Sequence, residues 1–225
     1  MAVQLQPSFL SVFNSSKHQK KPKPPFPTTQ RRSTLGVKAA SSSSGSNARQ
    51  LIQSGAIRAI QPKDAAAAMD SEGFQLLDIR PVWERQKAHV EGSLHVPLFI
   101  EDKDNGPITL LKKWVHFGYI GLWTGQYFTT TNPDFLPQVE KAAPEKDSKL
   151  LVACGEGLRS IMAATKLYEG GYKNLGWLAG GFNRAGEDDF TAVQGTEKLQ
   201  YATIGGASYY FLQLLIFIET VGKSK

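Results

Sequence analysis

Apolar residues fall in short runs separated by polar, Gly- and Pro-marked breaks, and the runs alternate in type. Residues 74–79 (FQLLDI) follow Gly73 and predict a buried strand. Residues 149–153 (KLLVA) are apolar after the first position, as in a central parallel strand covered on both faces. Residues 94–96 and 175–178 predict two more short strands, closed by Pro97 and by Ala179-Gly180-Gly181. Helices are predicted between them. Residues 62–69 open with Lys63-Asp64 and continue in four alanines, the best helix formers. Pro81 starts a short helix over 81–87. Asn132 as N-cap and Pro133 at the first helical position predict a helix to Ala143. Residues 160–169 form another, ended by Gly170-Gly171. Strand, helix and strand in repetition imply an α/β fold, a parallel sheet with helices on both faces. Sites in such sheets form at the carboxyl ends of strands, and Cys154 follows the central strand directly.

Two segments break the pattern. Residues 101–131 lack a clean period and hold Trp114, Phe117, Tyr119, Trp123, Tyr127 and Phe128. They are too long for an ordinary connection. The favoured reading is an insertion whose aromatics pack over the core; the other is a lid or a docking surface for a protein partner. Residues 202–218 (ATIGGASYYFLQLLIFI) carry no charge, as expected of a short membrane helix within a C-terminal tail, 191–225. The reading taken is single-pass attachment; a helix packed on the domain is the alternative.

Charge is divided unevenly. Residues 1–63 hold ten Lys or Arg and no acid, whereas the remainder carries a net charge of −4. The basicity therefore belongs to the N-terminal segment, and no nucleic-acid partner is expected of the mildly acidic body. Residues 1–39 are rich in Ser, Thr, Pro, Lys and Arg. They resemble a chloroplast transit peptide, with cleavage expected before Ala40 in Val37-Lys38-Ala39-Ala40. With the apolar C-terminal stretch, this predicts a chloroplast protein of the thylakoid or envelope membrane. Residues 40–60, beginning SSSSGSNAR from Ser41, read as a flexible linker to a domain over 61–190. The lone cysteine rules out an intrachain disulfide. No Cys/His cluster predicts a metal site, no glycine fingerprint predicts a nucleotide, and no cofactor is expected.

The chemistry concentrates in Cys154-Gly155-Glu156-Gly157-Leu158-Arg159-Ser160. Two glycines let the backbone curl so that successive N–H groups point inward, and the following helix adds its positive N-terminal end. Such a cradle stabilises an anion, the thiolate included. Arg159 is placed to clamp an anionic substrate. A thiolate ringed by donors suits attack on an anionic sulfur or phosphorus compound.

CGEGLRS is similar to the six-residue active loop of rhodaneses, Cys-x-x-Gly-x-Arg, and one residue shorter in spacing than the Cys-x5-Arg ring of protein tyrosine phosphatases. Upstream, Asp78-Ile79-Arg80-Pro81-Val82-Trp83-Glu84 and His89-Val90-Glu91-Gly92-Ser93-Leu94-His95-Val96-Pro97 resemble the same family's signature, as does Leu178-Ala179-Gly180-Gly181-Phe182 downstream. The resemblance covers about residues 64–189. Arg85, Ala88, Ala185 and Glu156 depart from it, and Glu156 puts a negative charge where many thiosulfate-using members carry a cation. The resemblance implies a rhodanese-like fold. It also implies a sulfurtransferase in which Cys154 takes sulfur from a sulfane-sulfur donor, holds it as a persulfide and passes it to a thiophilic acceptor. Asp78 and Arg80 are expected to form an ion pair that supports the loop, and His89 and His95 to be hydrogen-bonded packing residues. The alternative is a catalytically weak, membrane-tethered module that serves as a protein-binding scaffold.

Overall fold

The computed structural model describes residues 43–223. In chain order they form α1 (Ser43–Gln53), β1 (Ile57–Ile60), α2 (Pro62–Asp70), β2 (Gln75–Asp78), α3 (Val82–Lys87), β3 (Ala88–Val90), β4 (Leu94–His95) and β5 (Phe99–Glu101). Next come α4 (Pro107–His116), a π-turn over Phe117–Gly121, α5 (Leu122–Thr124), β6 (Thr129–Thr131), α6 (Phe135–Ala142) and β7 (Lys149–Ala153). The chain ends with α7 (Leu158–Glu169), β8 (Asn174–Leu178), β9 (Val193–Gly195) and α8 (Gly206–Lys223), with short 3-10 turns at Phe182–Arg184 and Leu199–Tyr201.

Five strands make one sheet in the order β1-β8-β7-β2-β4, and every pairing is parallel. β7 lies in the middle, which is why its run LLVA is fully buried. Successive side chains alternate between faces. Leu77, Leu150 and Val152 join Val139 of α6 and Ala163, Ala164 and Leu167 of α7 on one side. Leu76, Leu151 and Ala153 join Ala65 and Ala68 of α2, Phe182, Leu199 and Ala202 on the other. The expected α/β architecture with covered faces is the one found.

Several boundaries differ from expectation. Residues 43–60 are not a flexible linker: α1 packs on the cluster that holds α7, and β1 pairs with β8 from Ile57↔Leu175 to Ile60↔Leu178. Apolar Leu51, Ile52, Ile57 and Ile60 supply the burial that ordering requires. The helix expected to begin at Pro133 begins two residues later, at Phe135. Asn132 spends its side chain on the turn, accepting from the Asp134 N–H and donating to the Pro97 carbonyl. The packed body also continues past 190. β9 pairs antiparallel with β3, and Leu199 and Ala202 are buried in the core.

The aromatic insertion does not pack over the core. β5 and β6 pair at its base, but no residue of α4 is buried. Trp114 is 75% and Tyr119 82% exposed; Phe117, Trp123 and Tyr127 are exposed too.

The uncharged stretch 202–218 is not one helix either. Residues 202–205 form a turn, and the uncharged part of α8 is 206–218. Thirteen residues rise about 20 Å at ~1.5 Å each, against ~30 Å of bilayer hydrocarbon. Among the described residues no helix is long and apolar enough to cross a membrane. No described helix therefore supplies the expected single-pass anchor on which the thylakoid or envelope placement depended. The proposed transit peptide, 1–39, lies outside the described residues.

Candidate active site

The turn from β7 into α7 carries the site. Its backbone is held from below by the stretch after β8: the Phe182 N–H donates to the Cys154 carbonyl at 2.9 Å and the Asn183 N–H to the Gly155 carbonyl at 2.8 Å. This approach explains the glycine at 181. A Cβ there would lie 2.2 Å from the Gly155 oxygen and 2.4 Å from that of Cys154, and the φ of +66° is itself strained for other residues. The Trp177 indole N–H from β8 and the Ser160 hydroxyl both donate to the Gly157 carbonyl, at 2.8 and 3.0 Å.

Inside this turn the Cys154 sulfur receives the N–H of Gly157 at 3.1 Å and that of Ser160 at 3.3 Å. The thiol donates in turn to the Ser160 hydroxyl at 3.3 Å. The sulfur thus stands at the N-terminal end of the twelve-residue α7, where partial positive charge gathers. Gly155, Gly157 and Ser160 are buried with it, while Glu156 and Leu158 are exposed at the rim.

Arg159 does not stand free to clamp an anion. Its two terminal nitrogens donate to the two carboxylate oxygens of Glu84 at 2.9 and 2.7 Å. Glu84 is 1% exposed, so a nearly dry carboxylate faces the guanidinium. Burial works against the charge of Arg159, but the hydrogen bond and charge of Glu84, with a smaller contribution from Cys154, hold the guanidinium above its ordinary value. In the sequence Glu84 stands out only as the last residue of the motif that begins at Asp78. Its place four residues after Arg80 was the available signal, and its partner 75 positions away was not legible.

Asp78 and Arg80 form the expected ion pair beneath the site, both fully buried. Asp78 accepts from the Arg80 backbone N–H at 3.0 Å and from its Nη2 at 2.6 Å. The remaining reach of Arg80 goes to the Ala88 carbonyl and to the face of Phe182, 4.4 Å from the ring centre. Arg80 therefore meets the loop through Phe182 and not directly. His95 Nε2–H donates to the Arg80 carbonyl at 2.9 Å, and burial pushes its pKa down. His89 departs from expectation, since its buried Nδ1 has no hydrogen-bond partner. Among the described residues no cluster of His, Cys, Asp or Glu could hold a metal ion.

Above the cysteine lies a cavity of about 900 Å³. Its floor is the Cys154–Arg159 turn. Its roof joins two segments distant in sequence. The Gln126 side chain donates to the Thr203 carbonyl at 3.1 Å, Lys87 donates to that of Ile204 at 2.6 Å, and the Ser208 hydroxyl to that of Trp123 at 2.6 Å. The two backbones cross at glycines: a Cβ on Gly125, whose φ is +68°, would lie 2.6 Å from the Gly206 nitrogen. The sequence offered the insertion as a lid, and the C-terminal stretch as a packed helix, only as the less favoured readings, and nothing in it joined the two over Cys154.

A parallel sheet whose central strand ends in a cysteine cradled by backbone donors defines an α/β protein with a nucleophile-type loop. The sequence profile of the rhodanese-like domain matches residues 61–187, and the chain belongs to that family. It is 61% identical over 175 residues to rhodanese-like domain-containing protein 10 of Arabidopsis thaliana, covering 78% of this chain and 82% of that one. It is 40% identical over 160 residues to the chloroplastic rhodanese-like domain-containing protein 11 of the same plant, covering 71% of this chain and 54% of that protein. A more distant relative is the plant's chloroplastic thiosulfate sulfurtransferase 16, 28% identical over 111 residues and covering 49% and 72% of the two chains.

Proposed function

We propose that this chain is a sulfurtransferase that carries sulfane sulfur as a persulfide on Cys154. The observation that carries the reading is the pair of N–H groups, from Gly157 and Ser160, aimed at the sulfur at the base of a cavity. Donors so placed stabilise a negative sulfur without rearranging during reaction. In the first step the Cys154 thiolate attacks the terminal sulfur of a donor R–S–S⁻. The donor S–S bond breaks, RS⁻ leaves with the electron pair, and a Cys154–S–S⁻ persulfide forms. In the second step an acceptor nucleophile attacks the outer sulfur and returns the thiolate. With no second cysteine in the chain, the acceptor is a separate molecule. Gly155, Gly157 and Ser160 shape the cradle, Glu156, Leu158 and Arg159 face the entering molecule, and Asp78 with Arg80 supports the turn from below.

Intact mass after treatment with a persulfide or thiosulfonate donor, then cyanide, tests the reading. A gain of one sulfur atom, discharged by cyanide and abolished in Cys154→Ser, is expected. Uptake that survives in Cys154→Ser ends the idea.

The acid-free N-terminal segment, together with the chloroplastic names of relatives, supports a plastid address for the protein. Import of the full chain into isolated chloroplasts, with shortening near residue 40, is the expected result; a chain left outside at full length refutes it.

A further inference from the structure

The cavity over Cys154 is built for more than a small inorganic ion. Its volume, about 900 Å³, falls among sites that enclose a drug-sized organic molecule. Its walls come largely from outside the sheet: Tyr127 from the insertion, and Ile204, Phe211, Leu212 and Leu215 from the C-terminal segment.

The charges in and around it point the same way. Besides Cys154 and the phenol of Tyr127, the ionisable lining groups among the described residues are His116, Glu156 and Arg159. Arg159 is matched by both oxygens of Glu84. His116 donates through Nε2 to the Gln126 carbonyl at 3.1 Å. Lys87 stands behind the roof, bonded to the Ile204 carbonyl. Glu156 is exposed at the rim and belongs to none of the described ion pairs. A dianion would have to shed its water between apolar walls, beside a carboxylate, with both nearby cations already engaged. A molecule with one charge on its terminal sulfur and an apolar body has a place for each part. The terminal sulfur meets Cys154, whose own sulfur is held by the N–H groups of Gly157 and Ser160, and the body is removed from water by the walls.

We infer that the donor is an organic sulfane-sulfur compound, a thiosulfonate or persulfide with an apolar body about the size of an aromatic ring, and that Tyr127, Phe211, Leu212 and Leu215 select it. This rests on the sulfurtransferase reading above. With a thiosulfonate R–SO₂–S⁻, the Cys154 thiolate attacks the terminal sulfur and the S–S bond of the donor breaks. The sulfinate R–SO₂⁻ departs with the electron pair, and Cys154–S–S⁻ is left.

The test compares loading rates of the full chain by intact mass with three donors: benzenethiosulfonate, methanethiosulfonate and thiosulfate. The first two share one reacting group and differ in the body, so their ratio reports the walls. Benzenethiosulfonate is expected to load Cys154 at least about tenfold faster than methanethiosulfonate, with thiosulfate slower still. Leu215→Asp, at a position 64% exposed, and separately Phe211→Ala should bring that ratio towards one while circular dichroism stays native. Equal loading by the two thiosulfonates, or a ratio unmoved in both variants, overturns the inference and leaves the sulfurtransferase reading standing. A folded chain that gains sulfur from none of the donors overturns both.

Discussion

Six consecutive residues, Cys154–Arg159, build the floor of the cavity, whereas segments 77 positions apart, at Gln126 and Thr203, meet in its roof. The floor continues the central strand, and the residues that brace it are buried: Asp78, Arg80, Glu84, Ser160 and Phe182. The roof rests on a few hydrogen bonds and a glycine crossing, and its large side chains, Trp123, Tyr127, Phe211 and Leu215, remain exposed. Rigid positioning suits the group that does chemistry, since a nucleophile must be held close to its productive geometry. A lightly held roof suits entry and exit, because segments with few buried contacts open at low free energy. On the proposed function, the reacting sulfur thus follows a buried central strand while the walls that would select a donor belong to lightly packed segments.

Two substitutions sharpen this contrast. The larger effect is expected beneath the floor. Asp78→Ala leaves the Arg80 guanidinium buried and without its carboxylate, which should lower global stability by about 3–5 kcal/mol. A shift of the urea unfolding midpoint at unchanged slope measures it; a change of less than about 1 kcal/mol, within the range of an exposed pair, would refute this account of the floor. The smaller effect is expected in the roof. Gly125→Ala forces a Cβ against the Gly206 nitrogen at positive φ, a strain of about 1–3 kcal/mol. Amide exchange should then quicken over residues 203–210 while β7 stays protected. Equal loss of protection in β7 would show that roof and floor unfold together, and the contrast drawn here would fail.

Legibility follows the same division. The strand of residues 149–153 and the helix after it were readable because a buried parallel strand and a glycine-bounded helix leave local marks. The cysteine loop was readable because its donors are its own backbone. Gly180-Gly181 was recognisable as a motif, but its reason, a backbone passing against the Cys154 and Gly155 carbonyls, appears only in three dimensions. Arg159 looked free because Glu84 is 75 positions away. The aromatic insertion looked like core because apolarity counts the side chains that could be buried and not the surface available to bury them. The stretch 202–218 looked like a membrane helix because a run of uncharged residues does not show where Gly205-Gly206 will turn.

The sequence by itself determined the parallel α/β sheet, from its local periods, the family, from its motifs, and the turn in which Cys154 meets backbone donors, since each depends on residues close together in the chain. Only the tertiary structure decided that Arg159 is neutralised, that β1 and β9 belong to the body, and that the insertion and the C-terminal segment join over Cys154. Those features depend on pairs of surfaces meeting, and a meeting between distant segments is set by the summed packing of the whole chain and by no short stretch of it.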